Sequence, residues 1–136
     1  MPSPNSPLII ALDYSDLSQA FPLVDALDPA RCRVKIGKEL FTRAGPAAVE
    51  AMHQRGFEVF LDLKFHDIPN TVAGAVRAVC ALNPAMINVP ALGGTAMMRA
   101  AAAAAVEAGG ADRPLVLGVT VFTSLDDDDL ADVGIG

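Results

Sequence analysis

Short apolar runs rich in β-branched residues alternate with longer stretches whose apolar side chains recur every three or four positions. Leu8, Ile9, Ile10, Ala11 and Leu12 form an almost unbroken run, the pattern of a strand covered on both faces. Residues 16–27 follow with Leu17, Ala20, Leu23, Val24 and Leu27 at helical spacing. The same reading predicts a second strand over 33–37 and a helix over 46–55, opened by Pro46 at its first turn. A third strand is expected over 57–64, then a helix capped by Asn70 and running to about Leu82. A fourth strand spans 86–89, and a helix over 95–108 stops at Gly109 and Gly110. A fifth strand spans 115–122, with Ser124 placed to cap an acidic helical turn.

This is β-α five times in succession, with no hairpin signal between strands, so the class is α/β with a parallel sheet and right-handed crossovers. Two architectures fit: a doubly wound open sheet and a (β/α)₈ TIM-type barrel. The first strand-to-helix turn, Asp13, Tyr14, Ser15 and Asp16, has no glycine-rich phosphate fingerprint, which counts against a dinucleotide fold. Polar residues gather instead at the C-terminal ends of strands: Asp13, Lys35, Asp62, Lys64, Asn88, Thr120 and Thr123. Barrel enzymes place their chemistry there. A whole barrel needs about 250 residues. The expectation is an incomplete barrel, with 1–136 as the N-terminal portion of one barrel domain and 1–7 as a flexible tail.

Composition narrows the function classes. Hydrophobic residues make up 52% of the 136 and charged residues 19%, enough apolar material for a packed core. The net charge of −6 is concentrated in Asp126, Asp127, Asp128, Asp129 and Asp132, and no basic stripe exists. Nucleic acid and anionic membrane are therefore not expected partners. The aspartate run reads as a solvated helix start, because acids in a first turn complement the helix dipole. Cys32 and Cys80 are too few for a disulfide framework and read as buried free thiols. The first residues lack the basic and apolar regions of a secretory signal, and no apolar run spans a bilayer, so a cytoplasmic location is expected. Neither His53 nor His66 has metal-ligand spacing.

The informative stretch runs from Phe57 to Thr71. Residues two apart on a strand share a face, so Asp62 and Lys64 project side by side from the strand end, with Asp67 just beyond. Lys35 adds a cation from the neighbouring strand, whereas Lys38 lies past the strand end. Charges at a buried strand end are costly unless paired. Spacing alone fits either an ion pair closing the barrel end or a charge array that positions a lysine as proton donor.

Asp62, Lys64, Asp67, Ile68, Pro69, Asn70 and Thr71 closely resemble the D-x-K-x-x-D-I-P-N-T signature of the orotidine 5′-phosphate decarboxylase family. The resemblance extends to Ala11-Leu12-Asp13, to Val34 through Phe41, to Asn88-Val89 with Gly93-Gly94, and to Val119 through Ser124. It implies a cofactor-free and metal-free decarboxylation of orotidine monophosphate to uridine monophosphate in pyrimidine synthesis. Lys64 would protonate C6 of the pyrimidine as carbon dioxide leaves. Asp62 would sit against the substrate carboxylate, with Lys35 and Asp67 completing the charge network. Asp13 and Lys35 would contact ribose hydroxyls, and Thr123 with Ser124 would face the pyrimidine edge. Asp67, Ile68 and Thr71 would reach the other subunit's site, which implies a homodimer.

Pro90 and Leu92 stand where related bacterial enzymes commonly carry His and Ser, and Pro90 removes a backbone donor at a strand end. The family's phosphate-binding arginine and lid glutamine have no counterpart in these 136 residues. The isolated chain is accordingly expected to be poorly active and prone to associate. Two alternatives accompany this reading. One is a magnesium-dependent decarboxylase of the kind acting on 3-keto-gulonate 6-phosphate, which Ile68-Pro69-Asn70-Thr71 disfavours. The other is a non-catalytic truncated half-barrel.

Overall fold

The computed structural model describes residues 7–136, so all but the last residue of the expected 1–7 tail lies outside the described residues. Five strands form a single parallel sheet: β1 (Ile9–Ala11), β2 (Arg33–Ile36), β3 (Val59–Leu61), β4 (Met86–Pro90) and β5 (Leu115–Val119). Their spatial order is their chain order, β1-β2-β3-β4-β5, with β1 and β5 at the edges of the described sheet. Helices fill the crossovers: α1 (Leu17–Asp25), α2 (Lys38–Ala44), α3 (Pro46–Gln54), α4 (Pro69–Cys80) and α5 (Thr95–Gly109), with α6 (Asp127–Asp132) after β5. This is the α/β alternation that the apolar pattern predicts.

The strands have two unlike faces. In register across the sheet, Ile36, Leu61, Ile87 and Val116 share one face, and Lys35, Phe60, Met86 and Leu115 share the other. The first face packs against the helices. Val34, Ile36, Val59, Leu61, Ile87 and Val89 are all 0–1% exposed there, closed over by Val24, Leu40, Met52, Val76, Met97 and Ala104 among others. The second face, the inward one of a barrel, is open along the edge strands, where Ile9 is 36% exposed, Leu117 38% and Leu115 64%, while Met86 and Asn88 of β4 are buried at 7% and 3%. The expectation that the first strand is covered on both faces is therefore corrected. Nothing among the described residues closes over Ile9 and Ala11.

Local chemistry explains the remaining differences. The helix α2 is not among the predicted elements; it is a seven-residue piece that buries Leu40, and Gly45, at φ 65°, ends it and turns the chain into α3. Glycine reaches that left-handed conformation without a Cβ penalty. The expected cap Asn70 lies inside the first turn of α4 instead. Ile68 is the N-cap and its hydrocarbon side chain can make no cap bond, while Pro69 at the first position has no N–H to satisfy. Likewise Asp126, not Ser124, caps α6. Its carboxylate accepts from the Asp129 N–H at 2.9 Å while Asp129 accepts from the Asp126 N–H at 3.1 Å, a reciprocal capping box. The third strand is shorter than 57–64 and the fifth ends at Val119 rather than at residue 122, since ladders extend only where a neighbour is in register. Pro90 sits in β4 opposite Val119 at φ −67°, a conformation its ring prefers.

The alanine-rich α5 lies closely along α4, and Gly93 before it leaves room for the Met97 side chain exactly where a Cβ would stand. Met97 is buried and Met98 half-buried, as helix residues packed on the sheet should be. Cys32 and Cys80 are buried free thiols, and burial pushes both thiols up from their ordinary pKa. No helix among the described residues is long and apolar enough to cross a membrane.

Candidate active site

Three strand ends converge on Asp62. The sheet ladder continues past β3, where the Asp62 N–H donates to the Ile36 carbonyl at 2.9 Å, so the backbone under this carboxylate is held in register with β2. Its side chain points to the inward face, the face of Lys35 and Asn88. Lys64 Nζ donates to Asp62 Oδ1 at 2.7 Å and Lys35 Nζ to Oδ2 at 3.1 Å. The carboxylate is thus a bridge between two ammonium groups, one from β2 and one from its own loop. Asn88 Nδ2 also donates to Oδ1, at 2.7 Å.

The three charged side chains sit at the boundary of solvent. The Asp62 side chain is 11% exposed, and those of Lys35 and Lys64 are 24% and 26%. Burial alone pushes the Asp62 carboxyl up. Hydrogen bonds from Lys64, Asn88 and Lys35, with the Lys35 charge, outweigh it and hold the group below the ordinary carboxylate range. Asp62 is therefore an anion at neutral pH, and the two cations are fixed around it.

Lys64 has an unusual backbone. Its φ is +49°, a left-handed conformation that costs a non-glycine residue roughly 1–2 kcal/mol. The Lys64 N–H donates to Asn88 Oδ1 at 3.0 Å. Asn88 is 3% exposed, and with Asp62 it makes up the buried polar groups among the described residues. The polar pattern at strand ends includes Asn88 but gives no sign of these partners, which come from β4 lying beside the β3 loop.

The other predicted residues lie around this network without joining its ion pairs. Asp13 is exposed at the tip of β1, and Thr123 and Ser124 are exposed in the turn after β5. Asp67 is exposed and its carboxylate accepts from the Ile68 N–H at 2.7 Å, which stiffens the entry to α4. Ile68 is 65% exposed and Thr71 is exposed beside it, so one apolar and one polar side chain project from the start of α4. Lys38 is exposed at the first position of α2. Among the described residues, no group of three His, Cys, Asp or Glu side chains is placed to hold a metal ion.

An open depression of about 730 Å³ lies at the other end of the strands. Its walls include Arg33 at the start of β2 and Glu58, Ala85 and Arg113 just before β3, β4 and β5, so it is the underside of the sheet. There Arg33 and Glu58 form an ion pair at 2.7 Å. The chemistry-bearing end is the one with Asp62, where parallel sheets of this kind present their loops.

Comparison with known proteins identifies the family and the fold. The sequence model of the "Orotidine 5′-phosphate decarboxylase / HUMPS family" matches residues 6–135. The chain is 58% identical over 131 residues to an orotidine 5′-phosphate decarboxylase of Alcanivorax borkumensis, covering 96% of this chain and 56% of that protein. It is also 58% identical over 130 residues to the Sodalis glossinidius protein of the same name, covering 96% and 51%. The chain thus spans about half the length of these curated relatives. Among solved structures it superimposes on orotidine 5′-phosphate decarboxylase from Lactobacillus acidophilus with a TM-score of 0.84 and 37% identity, covering 93% of this chain and 58% of that one. An uncharacterized conserved protein from Geobacillus kaustophilus gives a TM-score of 0.86 at 38% identity, covering 93% and 60%. The five βα units are therefore a consecutive part of that barrel, and the chain belongs to the orotidine 5′-phosphate decarboxylase / HUMPS family.

Proposed function

We propose that the protein to which these residues belong decarboxylates orotidine 5′-phosphate to uridine 5′-phosphate, with Lys64 as the proton donor. The observation that carries this reading is the Lys35–Asp62–Lys64 bridge at the C-terminal end of the strands, in a chain whose relatives bear that enzyme's name. In the reaction the C6–carboxylate bond breaks, carbon dioxide departs, and the electron pair stays on C6. Lys64 Nζ gives its proton to that carbon and is reprotonated from solvent. A carbanion on an sp² carbon has little resonance relief, so the transition state is strongly anionic. An ammonium about 4 Å away contributes on the order of 4 kcal/mol at an effective dielectric near 20. Because Lys64 is already tethered to Asp62, that charge requires little reorganisation.

The remaining residues take subsidiary roles. Asp62 faces the substrate carboxylate, Lys35 and Asp13 bind ribose hydroxyls, and Thr123 with Ser124 meets the pyrimidine edge. Asp67 completes the charge array of a second subunit in a homodimer, where the exposed Ile68 and Thr71 also reach. That assignment gives their projection from α4 a purpose. The reaction uses no cofactor, and a cytoplasmic location suits it. The magnesium-dependent alternative is disfavoured by Ile68-Pro69-Asn70-Thr71 and by the names of the relatives.

The test is a chimera in which residues 6–135 replace the matched segment of the Alcanivorax borkumensis protein. Loss of orotidine monophosphate absorbance is expected from the chimera, and Lys64→Ala should lower kcat by about 10³-fold, the counterpart of the charge contribution above. Turnover that survives Lys64→Ala sinks the assignment of Lys64. A folded chimera without turnover, beside an active parent, favours the non-catalytic half-barrel.

A further inference from the structure

We infer that Asn88 is a positioning residue for Lys64, clamping the lysine's backbone and its carboxylate partner at once. The inference rests on the reading of Lys64 as proton donor. A side-chain amide carries one acceptor and one pair of donors on a rigid plane. Here Oδ1 accepts from the Lys64 N–H at 3.0 Å, and Nδ2 donates to Asp62 Oδ1 at 2.7 Å. The reverse orientation would set donor against donor and oxygen against carboxylate, so both contacts select one rotamer of the amide.

Lys64 is consequently held at both ends. Its main chain is fixed by Asn88 in the left-handed conformation at φ +49°, and its ammonium is fixed by Asp62 at 2.7 Å. A lysine side chain otherwise samples many rotamers. Removing that freedom before substrate arrives places the proton near the reacting carbon. The charged groups around Asp62 are Lys35 from β2 and Lys64 from its own loop, while β4 contributes the neutral Asn88. Aspartate at position 88 would keep the acceptor for Lys64, lose the donor for Asp62 and set a second carboxylate against it, so its reading of the clamp is the Lys64 amide. Alanine would lose both. The two variants therefore separate the two halves of the clamp.

The experiment uses the chimera, and its first two readouts do not depend on turnover. Carboxyl-carbon NMR titration reads the protonation midpoint of Asp62, and amide hydrogen exchange reads the Lys64 N–H. In Asn88→Asp the Lys64 amide should stay protected while the Asp62 midpoint rises. In Asn88→Ala the midpoint should also rise, and Lys64 exchange should quicken by about tenfold, as expected for one lost hydrogen bond. In the chimera Asn88→Ala should lower kcat with KM little changed, a split that a merely structural role would not produce, and a raised KM with kcat unchanged overturns the positioning role. If Asn88→Ala does not fold, Asn88→Asp decides through the Lys64 amide. An Asp62 midpoint unmoved in a folded variant, or a Lys64 amide unprotected in Asn88→Asp, overturns the clamp. Should the chimera show no decarboxylation, these readouts still report on the clamp, so the two failures are distinct.

Discussion

The two faces of the sheet meet opposite fates at its edge, where both are apolar. On the helix side Ile36 and Leu61 are 0% and 1% exposed, whereas on the inward side Leu115 and Leu117 are 64% and 38% exposed. The inward face is polar only along β2, β3 and β4, where Arg33 and Glu58 pair at one end and Asp62 gathers its partners at the other. A one-sided sheet would alternate apolar and polar residues along each strand. β2 does, but β1, β3 and β5 are apolar on both faces, as suits a barrel whose inward apolar residues meet those of other strands. The pattern thus fits a face made to be covered by the rest of a barrel, in line with the chain spanning about half of its relatives.

The largest effect should come from pitting one face against the other. Leu61→Ala opens a cavity under the helices and should cost about 2–5 kcal/mol in urea unfolding. Leu115→Ala in the same chain should stay within about 0.5 kcal/mol, as for an exposed site. Equal costs would mean that something covers the inward face of this chain, and the contrast between the faces would collapse.

The polar end of the inward face should respond next most strongly. Asp62→Ala leaves two ammonium groups facing each other and the Asn88 amide without its acceptor, a loss of about 1–3 kcal/mol. Asp62→Asn keeps the shape and one acceptor and should cost less. If neither variant changes the urea midpoint, the bridge serves chemistry without serving the fold.

Association sharpens the contrast from another side. Exposed apolar patches bounded by unpaired strand edges invite self-association. Leu115→Lys with Leu117→Lys should weaken self-association by at least about tenfold in sedimentation velocity, since each buried leucine contributes roughly 1.5–3 kcal/mol. A wild-type chain that is monomeric at high concentration would contradict the expected stickiness of this face.

The fold was legible in proportion to how local its causes are. Strand order follows from unbroken alternation of strand and helix, whereas Asp62 and Lys64 meet beyond the end of β3, with Lys64 in a left-handed turn and not on a strand face. The ion pair from Lys35 needs only that β2 and β3 be neighbours in register, Lys35 opposite Phe60, which the topology supplies. The helix α2 escaped because seven residues between Gly37 and Gly45 give too short a period to recognise. The caps of α4 and α6 were misplaced because proline and the aspartate run offered competing ways to satisfy the same backbone groups. Asn88 was visible as a polar strand-end residue, but its partners lie 24 and 26 positions away, and only the packing of β4 against the loop after β3 selects them.

Acidification should separate the two faces by pH window, and it is the smallest effect expected. Asp62 on the inward face has a folded pKa below its ordinary value of 3.8. The unfolded chain then binds the proton more readily, so this contribution is fully present above about pH 4 and is lost as pH falls through the lower, folded value. His53 lies on α3, where burial lowers its pKa from the ordinary 6.5. Its contribution has the same sign in a higher window: present above about 6.5, and lost as pH falls towards the folded value because the unfolded chain accepts the proton first. Stability plotted against pH should therefore fall in two steps on the way down. His53→Gln should flatten the upper step and leave the lower one, while Asp62→Asn should do the reverse. If His53→Gln changes nothing between pH 7.5 and 5.5, the half-buried imidazole is as well solvated in the fold as out of it.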